Sequence, residues 1–507
     1  MRTHARYCVA LGLLFFVGSA SAEISRQCHN MVRLTDMNQA IEPGVRVAAT
    51  DTAPAYCHVR GVINRAIRFE VTMPDNWNGR FMFSTVGGAA GVIGDITSLL
   101  SRGFAMASTD TGHEITEGDA YLRQPEALLD YAYRGVHLAT LAAKGVIGSY
   151  YGKDIEYSYL SGCSNGGRAA LMEVARFPTD YDGVIAGAPV YRFTEFIPWA
   201  ISVARAMREE PLTEASLEVL ARASALACDD LDGVSDGVIN DPRMCTSDLF
   251  DVASLQCKGR AKDNCLSAGQ VKTAEAIYAG VTDSDGNVIA PGVSPGAENA
   301  GDWSFWIMPN NQVPDGSEES LVAFMENFLV NIMRHDPTFD VSEFDPATDI
   351  HKIERELVAL DPVDTDLSDF KNNGGKLIIY QGWNDFPLRP ERAFDHLKAV
   401  QNSMGGAASV DEFYRLFMVP GMTHCAGGPG AWQTDYVTPL VTWREEGKAP
   451  DRIIGRQPGG NVAFDHLAPS EESAQTKSFT RPQCVYPKLA HYKGSGDPAD
   501  AENFICR

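Results

Sequence analysis

Polar and apolar positions first alternate with a period of two. From Cys57 the chain runs C-H-V-R-G-V-I-N-R-A-I-R-F-E-V-T-M-P and then R-F-M-F-S-T-V-G-G, with Phe69 and Val71 on one side, into a glycine turn. This alternation predicts an antiparallel opening to a sheet. After Gly103 the period changes. G-F-A-M-A-S-T-D is a short strand, and A-L-L-D-Y-A-Y-R-G-V-H-L-A-T-L-A-A-K-G-V has helical spacing. I-E-Y-S-Y-L is another strand, R-A-A-L-M-E-V-A-R a helix, and D-G-V-I-A-G-A-P-V a further strand. Strands alternating with helices imply a mainly parallel sheet covered on both faces.

Between about Tyr191 and Phe370 that rhythm lapses into an Asp-rich loop, two close cysteine pairs and turn-rich segments such as D-S-D-G-N and N-N-Q-V-P-D-G-S. It then resumes with the buried strand K-L-I-I-Y-Q-G-W-N-D, the helix R-A-F-D-H-L-K-A-V and the strand E-F-Y-R-L-F-M-V-P-G-M-T-H. Residues 191–370 are therefore expected to form an inserted lid domain, and residues 23–190 with 371–507 one catalytic domain. A length of 507 residues suits one large domain with an insertion.

The first 22 residues differ from the rest. Arg2 and Arg6 precede an apolar run from Val9 to Val17, and Ala20-Ser21-Ala22 stand before Glu23. That is a secretory leader, with cleavage expected after Ala22. A membrane span needs roughly 20 apolar residues, which neither this run nor any later one provides. The mature protein is expected to be soluble, either periplasmic or released. Cys8 leaves with the leader, and the remaining ten cysteines, an even count in an exported chain without C-x-x-C, favour disulfides over metal or thiol chemistry. The formal charge of −23 becomes −25 once Arg2 and Arg6 are removed. Such a surface repels phosphate backbones and anionic lipid, so neither nucleic acid nor membranes are expected partners. The sequence leaves the oligomeric state open.

The chemistry centres on Gly162-Cys163-Ser164-Asn165-Gly166, a G-x-S-x-G pattern between a predicted strand and a predicted helix. In that context the pattern forms a nucleophile elbow, which lifts a serine hydroxyl clear of the sheet while the helix turns its first amides toward developing negative charge. Serine needs a base to take its proton and a carboxylate to orient that base. An α/β-hydrolase core supplies them in the order Ser, acid, His. Asp385 follows L-I-I-Y-Q-G-W-N and His424 follows F-M-V-P-G-M-T, both at strand ends and in that order. His424 is followed at once by Cys425, just as Cys163 precedes Ser164. A disulfide between the two cysteines would join the residues beside nucleophile and base. On the chain-entropy argument it would also restrict the unfolded chain by about 4 to 5 kcal/mol.

Cys-Ser, a separate Asp and His-Cys resemble the signature of the tannase and feruloyl esterase family, whose members join nucleophile and histidine loops by such a bridge. S-T-D-T-G-H at 108–113, Q-G-W-N-D, P-G-M-T-H-C and the tail Y-K-G-S-G-D-P-A-D-A-E-N-F-I-C extend the likeness over nearly the whole mature chain. The resemblance implies an α/β-hydrolase core, a lid between its later strands, and hydrolysis of esters of aromatic acids: feruloyl, galloyl or mono-hydroxyethyl terephthalate esters. Where many relatives carry G-N-G-G, this chain has S-T-V-G-G-A-A-G. Either Gly87 or Gly88 then joins Asn165 in the oxyanion hole, Gly88 being preferred. Sequence proximity and the likeness suggest the further pairs Cys28–Cys57, Cys228–Cys245, Cys257–Cys265 and Cys484–Cys506.

C-D-D-L-D-G-V-S-D-G-V-I-N-D-P-R-M-C gathers Asp229, Asp230, Asp232 and Asp236 between two cysteines. Clustered carboxylates repel one another, and Ca²⁺ relieves this with carboxylate and carbonyl ligands in flexible geometry. An EF-hand would want Glu at the twelfth position, which is Asn240. The resemblance places side chains of Asp229, Asp232 and Asp236 and carbonyls of Val234 and Val238 on a structural calcium, far from catalysis; the alternative is a solvated acidic turn stapled by its cysteines. His113 is expected to be a structural turn histidine or to line the cleft, and Trp303 and Trp306 to stack on substrate or fill the lid core. The expected function is an exported serine esterase for aromatic acid esters, feruloyl esters first, without organic cofactor. Tannase, terephthalate half-ester hydrolase and aliphatic polyester depolymerase share that chemistry, and a non-catalytic calcium-stabilised binding protein is the rival of another class.

Overall fold

The structure, a computed structural model, describes residues 23–507 apart from 260–263, 310–318, 363 and 459–477. The expected leader and its cleavage after Ala22 lie outside the described residues, as does N-N-Q-V-P-D-G-S.

The period-two opening is antiparallel over Tyr56–Pro74, as expected, but its last segment, Arg80–Ser84, joins the parallel part of the sheet instead. Strands β1 (Gln39–Ile41) and β2 (Val45–Val47) both pair antiparallel with β3 (Tyr56–Ile63), which pairs antiparallel with β4 (Ile67–Pro74). Beyond β4 come β5 (Arg80–Ser84), β6 (Ala105–Thr109), β7 (Tyr157–Cys163) and β8 (Gly183–Gly187). A separate hairpin joins β9 (Val281–Thr282) to β10 (Val288–Ala290), and β11 (Lys376–Gly382) and β12 (Tyr414–Val419) complete the main sheet. The order is β1-β3-β4-β6-β5-β7-β8-β11-β12, parallel from β6 to β12. Alternate residues serve opposite faces: Phe81 and Phe83 pack against helix Gly135–Tyr151, whereas Met82, Tyr159 and Ile378 meet Leu440 and Trp443. The chain is a mixed α/β protein of the α/β-hydrolase kind.

Strands β8 and β11 are neighbours in the sheet, Gly187 pairing with Tyr380, although 188 residues of sequence lie between Gly187 and Lys376. The intervening stretch buries Trp199, Trp303, Phe324 and Phe328 in a core that it shares with Tyr121, Leu122 and Tyr131 of the earlier chain. Phe386 and Leu388, which follow β11 closely, belong to that same core. The inserted helices therefore pack on the loop that carries Asp385.

One predicted helix is interrupted. Residues Asp130–Arg134 form a π turn ahead of Gly135–Tyr151. The fully buried Arg168 explains it: its guanidinium donates to the carbonyls of Tyr131 and Ala132 in the widened turn, to Leu360 of the insertion, and to Asn165 Oδ1. A buried cation demands such partners. Here they tie the nucleophile helix to the insertion.

Candidate active site

Strand β7 ends at Cys163, and Ser164 adopts φ 63°, ψ −126° before helix Asn165–Arg176 begins. A serine at positive φ is strained by about 1 to 3 kcal/mol, so its surroundings must over-determine it. Thr85 does so from β5's end, its hydroxyl lying 3.1 Å from the Ser161 carbonyl and 3.0 Å from that of Gly166. A Cβ on Gly162 would sit 1.7 Å from Thr85 Oγ1, which accounts for the glycine before the nucleophile. The amides of Gly88 and Asn165 donate no hydrogen bond among the described residues. Both residues border an aromatic cavity beside Ser164, and Gly87 does not.

Ser164 Oγ donates to His424 Nε2 at 2.9 Å, and His424 Nδ1 donates to Asp385 Oδ2 at 2.9 Å. Asp385 is fully buried and also accepts from Gln381 Nε2 and the Leu388 amide. Burial by itself would lower the His424 pKa. The charge and hydrogen bond of Asp385, helped by Asp302, overcome this and leave it raised above the ordinary 6.5. Cys163 and Cys425 are bonded across 262 residues, and Cys425 itself stands at φ 65°. The four other disulfides are Cys28–Cys57, Cys228–Cys245, Cys257–Cys265 and Cys484–Cys506, the five suggested pairs in full.

Two cavities meet at Ser164. The narrower one, about 600 Å³ including open solvent, is bordered by Tyr121, Tyr131, Phe193, Phe196, Trp306 and Phe324 among others, with no Asp, Glu, Lys or Arg among the described residues. The wider one, about 1590 Å³ and partly open solvent, runs past Val92, Ile115 and Cys425. Trp306 borders both and meets the His424 ring edge-to-face at 6.1 Å. Trp303 is buried against Phe386 and is lid core. His113 is structural: buried and stacked on Tyr121, it holds the Ala89 carbonyl at 2.8 Å and so props the Gly88 loop. Asp302, which no sequence motif marked, accepts the His424 amide.

In the acidic loop Asp229 accepts amides of Gly237 and Val238, Asp232 that of Val234, and Asp236 pairs with Arg481. Burial, with like charges nearby, pushes Asp232 up to about 6 and raises Asp236. The carbonyls of Val234 and Val238 accept no hydrogen bond among the described residues. Carboxylates and carbonyls are the donor types a hard cation takes, but here Arg481 is paired with Asp236 and the three carboxylates do not converge on one point. One residue of the loop touches the segment that leads to His424. A Cβ on Gly421, three residues before His424, would come within 3.0 Å of Val238 Cγ1.

A family profile described as "Tannase and feruloyl esterase" matches residues 51–507. The chain belongs to that family. It is 32% identical to the mono(2-hydroxyethyl) terephthalate hydrolase of Piscinibacter sakaiensis, over 90% of this chain and 86% of that protein. To a probable feruloyl esterase B-2 of Aspergillus terreus it is 28% identical, over 93% and 90%. The crystal structure of feruloyl esterase B from Aspergillus oryzae superposes with a TM-score of 0.80 at 25% identity, covering 96% of this chain and all of that one. This family member is a carboxylic ester hydrolase with small-molecule ester substrates, and no helix among the described residues is long and apolar enough to cross a membrane.

Two outcomes follow for this esterase. A base must be neutral to accept a proton, so the acid limb of its kcat/KM profile is expected above pH 6.5, because His424 is raised; an inflection below that value contradicts the assignment. Replacing both Cys163 and Cys425 by Ala is expected to lower kcat/KM by about 10- to 100-fold through misplacement of His424. Unchanged turnover with an earlier melt would make the bridge a purely stabilising link.

Proposed function

We propose that this protein is an exported serine esterase that hydrolyses feruloyl-type esters through an acyl-enzyme. The observation that carries the reading is the hydrogen-bonded chain Ser164–His424–Asp385 opening onto an aromatic cavity with no Asp, Glu, Lys or Arg among its described lining residues. His424 Nε2 takes the Ser164 proton as Oγ attacks the ester carbonyl. The amides of Gly88 and Asn165 receive the oxyanion, and Asp385 holds the imidazolium. His424 then protonates the departing alcohol. Water, deprotonated by His424, releases the acid.

The cavity favours the feruloyl reading over its rivals. A terephthalate half-ester would bury a carboxylate among aromatic rings with no described counter-charge, at a cost of several kcal/mol. A galloyl ring brings three hydroxyls, and among the cavity's few polar groups Tyr131 already donates to the Gly88 carbonyl. A feruloyl ring, with one hydroxyl and one methoxy group, demands less. Five disulfides support an oxidising, extracytoplasmic setting. Turnover of methyl ferulate above that of methyl gallate and mono-hydroxyethyl terephthalate, abolished in Ser164→Ala, is the expected result. Preference for either rival ester would move the substrate assignment, and activity surviving in Ser164→Ala would contradict the mechanism.

The acidic loop is proposed to hold a structural calcium on Asp229, Asp232, Asp236 and the carbonyls of Val234 and Val238, bracing the segment before His424. Without the ion, carboxylates whose pKa values rise on folding cost stability above those values, and the cost fades as pH falls through about 6. A chelator is therefore expected to lower the melting temperature at pH 7 and to lower it less at pH 5. An unchanged midpoint at pH 7 contradicts bound calcium.

A further inference from the structure

We infer that Asp302 is a positioning residue through which the inserted lid completes the catalytic triad, a reading that rests on the serine mechanism above. Asp302 opens the short helix Asp302–Ile307 of the insertion and is buried. A first-turn aspartate commonly accepts amides of its own helix. This one accepts none of them. Its Oδ2 accepts the amides of His424 and of Phe386, each at 3.0 Å. One residue is the catalytic base and the other follows the catalytic acid.

Neither amide has another acceptor among the described residues. Removing the carboxylate would strand two buried donors, one on each loop. The two loops come from separate strand ends, after β11 and after β12. A single oxygen thus fixes the spacing of Asp385 and His424 from outside the sheet.

The same helical turn adds two ring contacts. Trp303 packs on the Phe386 ring at 4.9 Å, and Trp306, four residues after Asp302, meets the imidazole of His424. Asn384 reaches the insertion too, donating to the Pro295 carbonyl at 2.8 Å. The carboxylate also acts through space. Asp385, His424 and the buried Arg389 guanidinium lie within its electrostatic reach. Its charge favours the imidazolium that forms when Ser164 loses its proton. The lid is then more than a cover that selects substrates: the base is held in place only where the lid is seated.

The test compares Asp302→Ala with Asp302→Asn in the full mature chain. Asn keeps an oxygen for both amides but carries no charge, whereas Ala keeps neither. Asp302→Ala is expected to lose about 100-fold in kcat with KM nearly unchanged, and to slow fluorophosphonate labelling of Ser164 in proportion. Asp302→Asn is expected to recover most of the rate and to move the acid limb of the pH profile downward. Full kcat in Asp302→Ala with an unmoved profile would overturn the inference. So would an Asn variant as slow as the Ala variant with both melting early, which would mark Asp302 as purely structural. Ser164→Ala separates the two levels: activity that survives it overturns the triad itself, and activity lost with it but kept in Asp302→Ala overturns only the role of the lid.

Discussion

The hydrogen bond between Ser164 and His424 joins residues 260 positions apart, and most of the surrounding architecture restrains it. A parallel sheet brings the ends of β7, β11 and β12 to one edge, but a sheet fixes strand ends better than the loops beyond them. The loops need further ties. On the serine side the tie is steric, with Thr85 packed against a glycine that tolerates no side chain. On the histidine side it is covalent through Cys425 and, on the account above, electrostatic through Asp385 and Asp302. Two residues at positive φ, Ser164 and Cys425, flank this contact, and the bridge that ends at Cys425 begins beside Ser164. Strain of that kind persists only where several independent contacts hold it.

The insertion supplies what the sheet cannot. It roofs the serine with aromatic rings, leaves no Asp, Glu, Lys or Arg in the aromatic cavity among the described residues, and shares its core with Phe386 and Leu388 of the acid loop. Arg168 reaches it from the nucleophile helix. The rings that border the cavity and the contacts that hold the Asp385 loop thus come from one set of packed helices. A substitution in the lid core is expected to alter rate and specificity together.

The hydrogen-bonded arrangement of Ser164, His424 and Asp385 was legible in the sequence because it is written in residue identity. Ser164, Asp385, His424 and the cysteines beside two of them stand at strand ends that hydrophobic periodicity locates well. All five disulfides followed from likeness and proximity. Asp302 was not legible, because its partners are backbone amides 84 and 122 residues away, and an amide carries no sequence signal. The π turn at Asp130–Arg134 was hidden for the same reason: the pattern is helical throughout, and the deviation answers a buried arginine on another helix. Trp303 and Trp306 looked alike in sequence, yet adjacent turns of one short helix send one into the core and the other to the imidazole. Val238 of the acidic loop packs beside Gly421, a contact that only the chain's path reveals.

The central claim is that Ser164 carries the acyl group. It is tested most directly by mixing the enzyme with an activated ferulate ester, quenching in acid within the first turnover, and weighing the peptide that contains Ser164. The account predicts a feruloyl adduct on that peptide which forms before steady state and disappears on further incubation. An unmodified Ser164 peptide during active turnover, or an adduct on another residue, would contradict it.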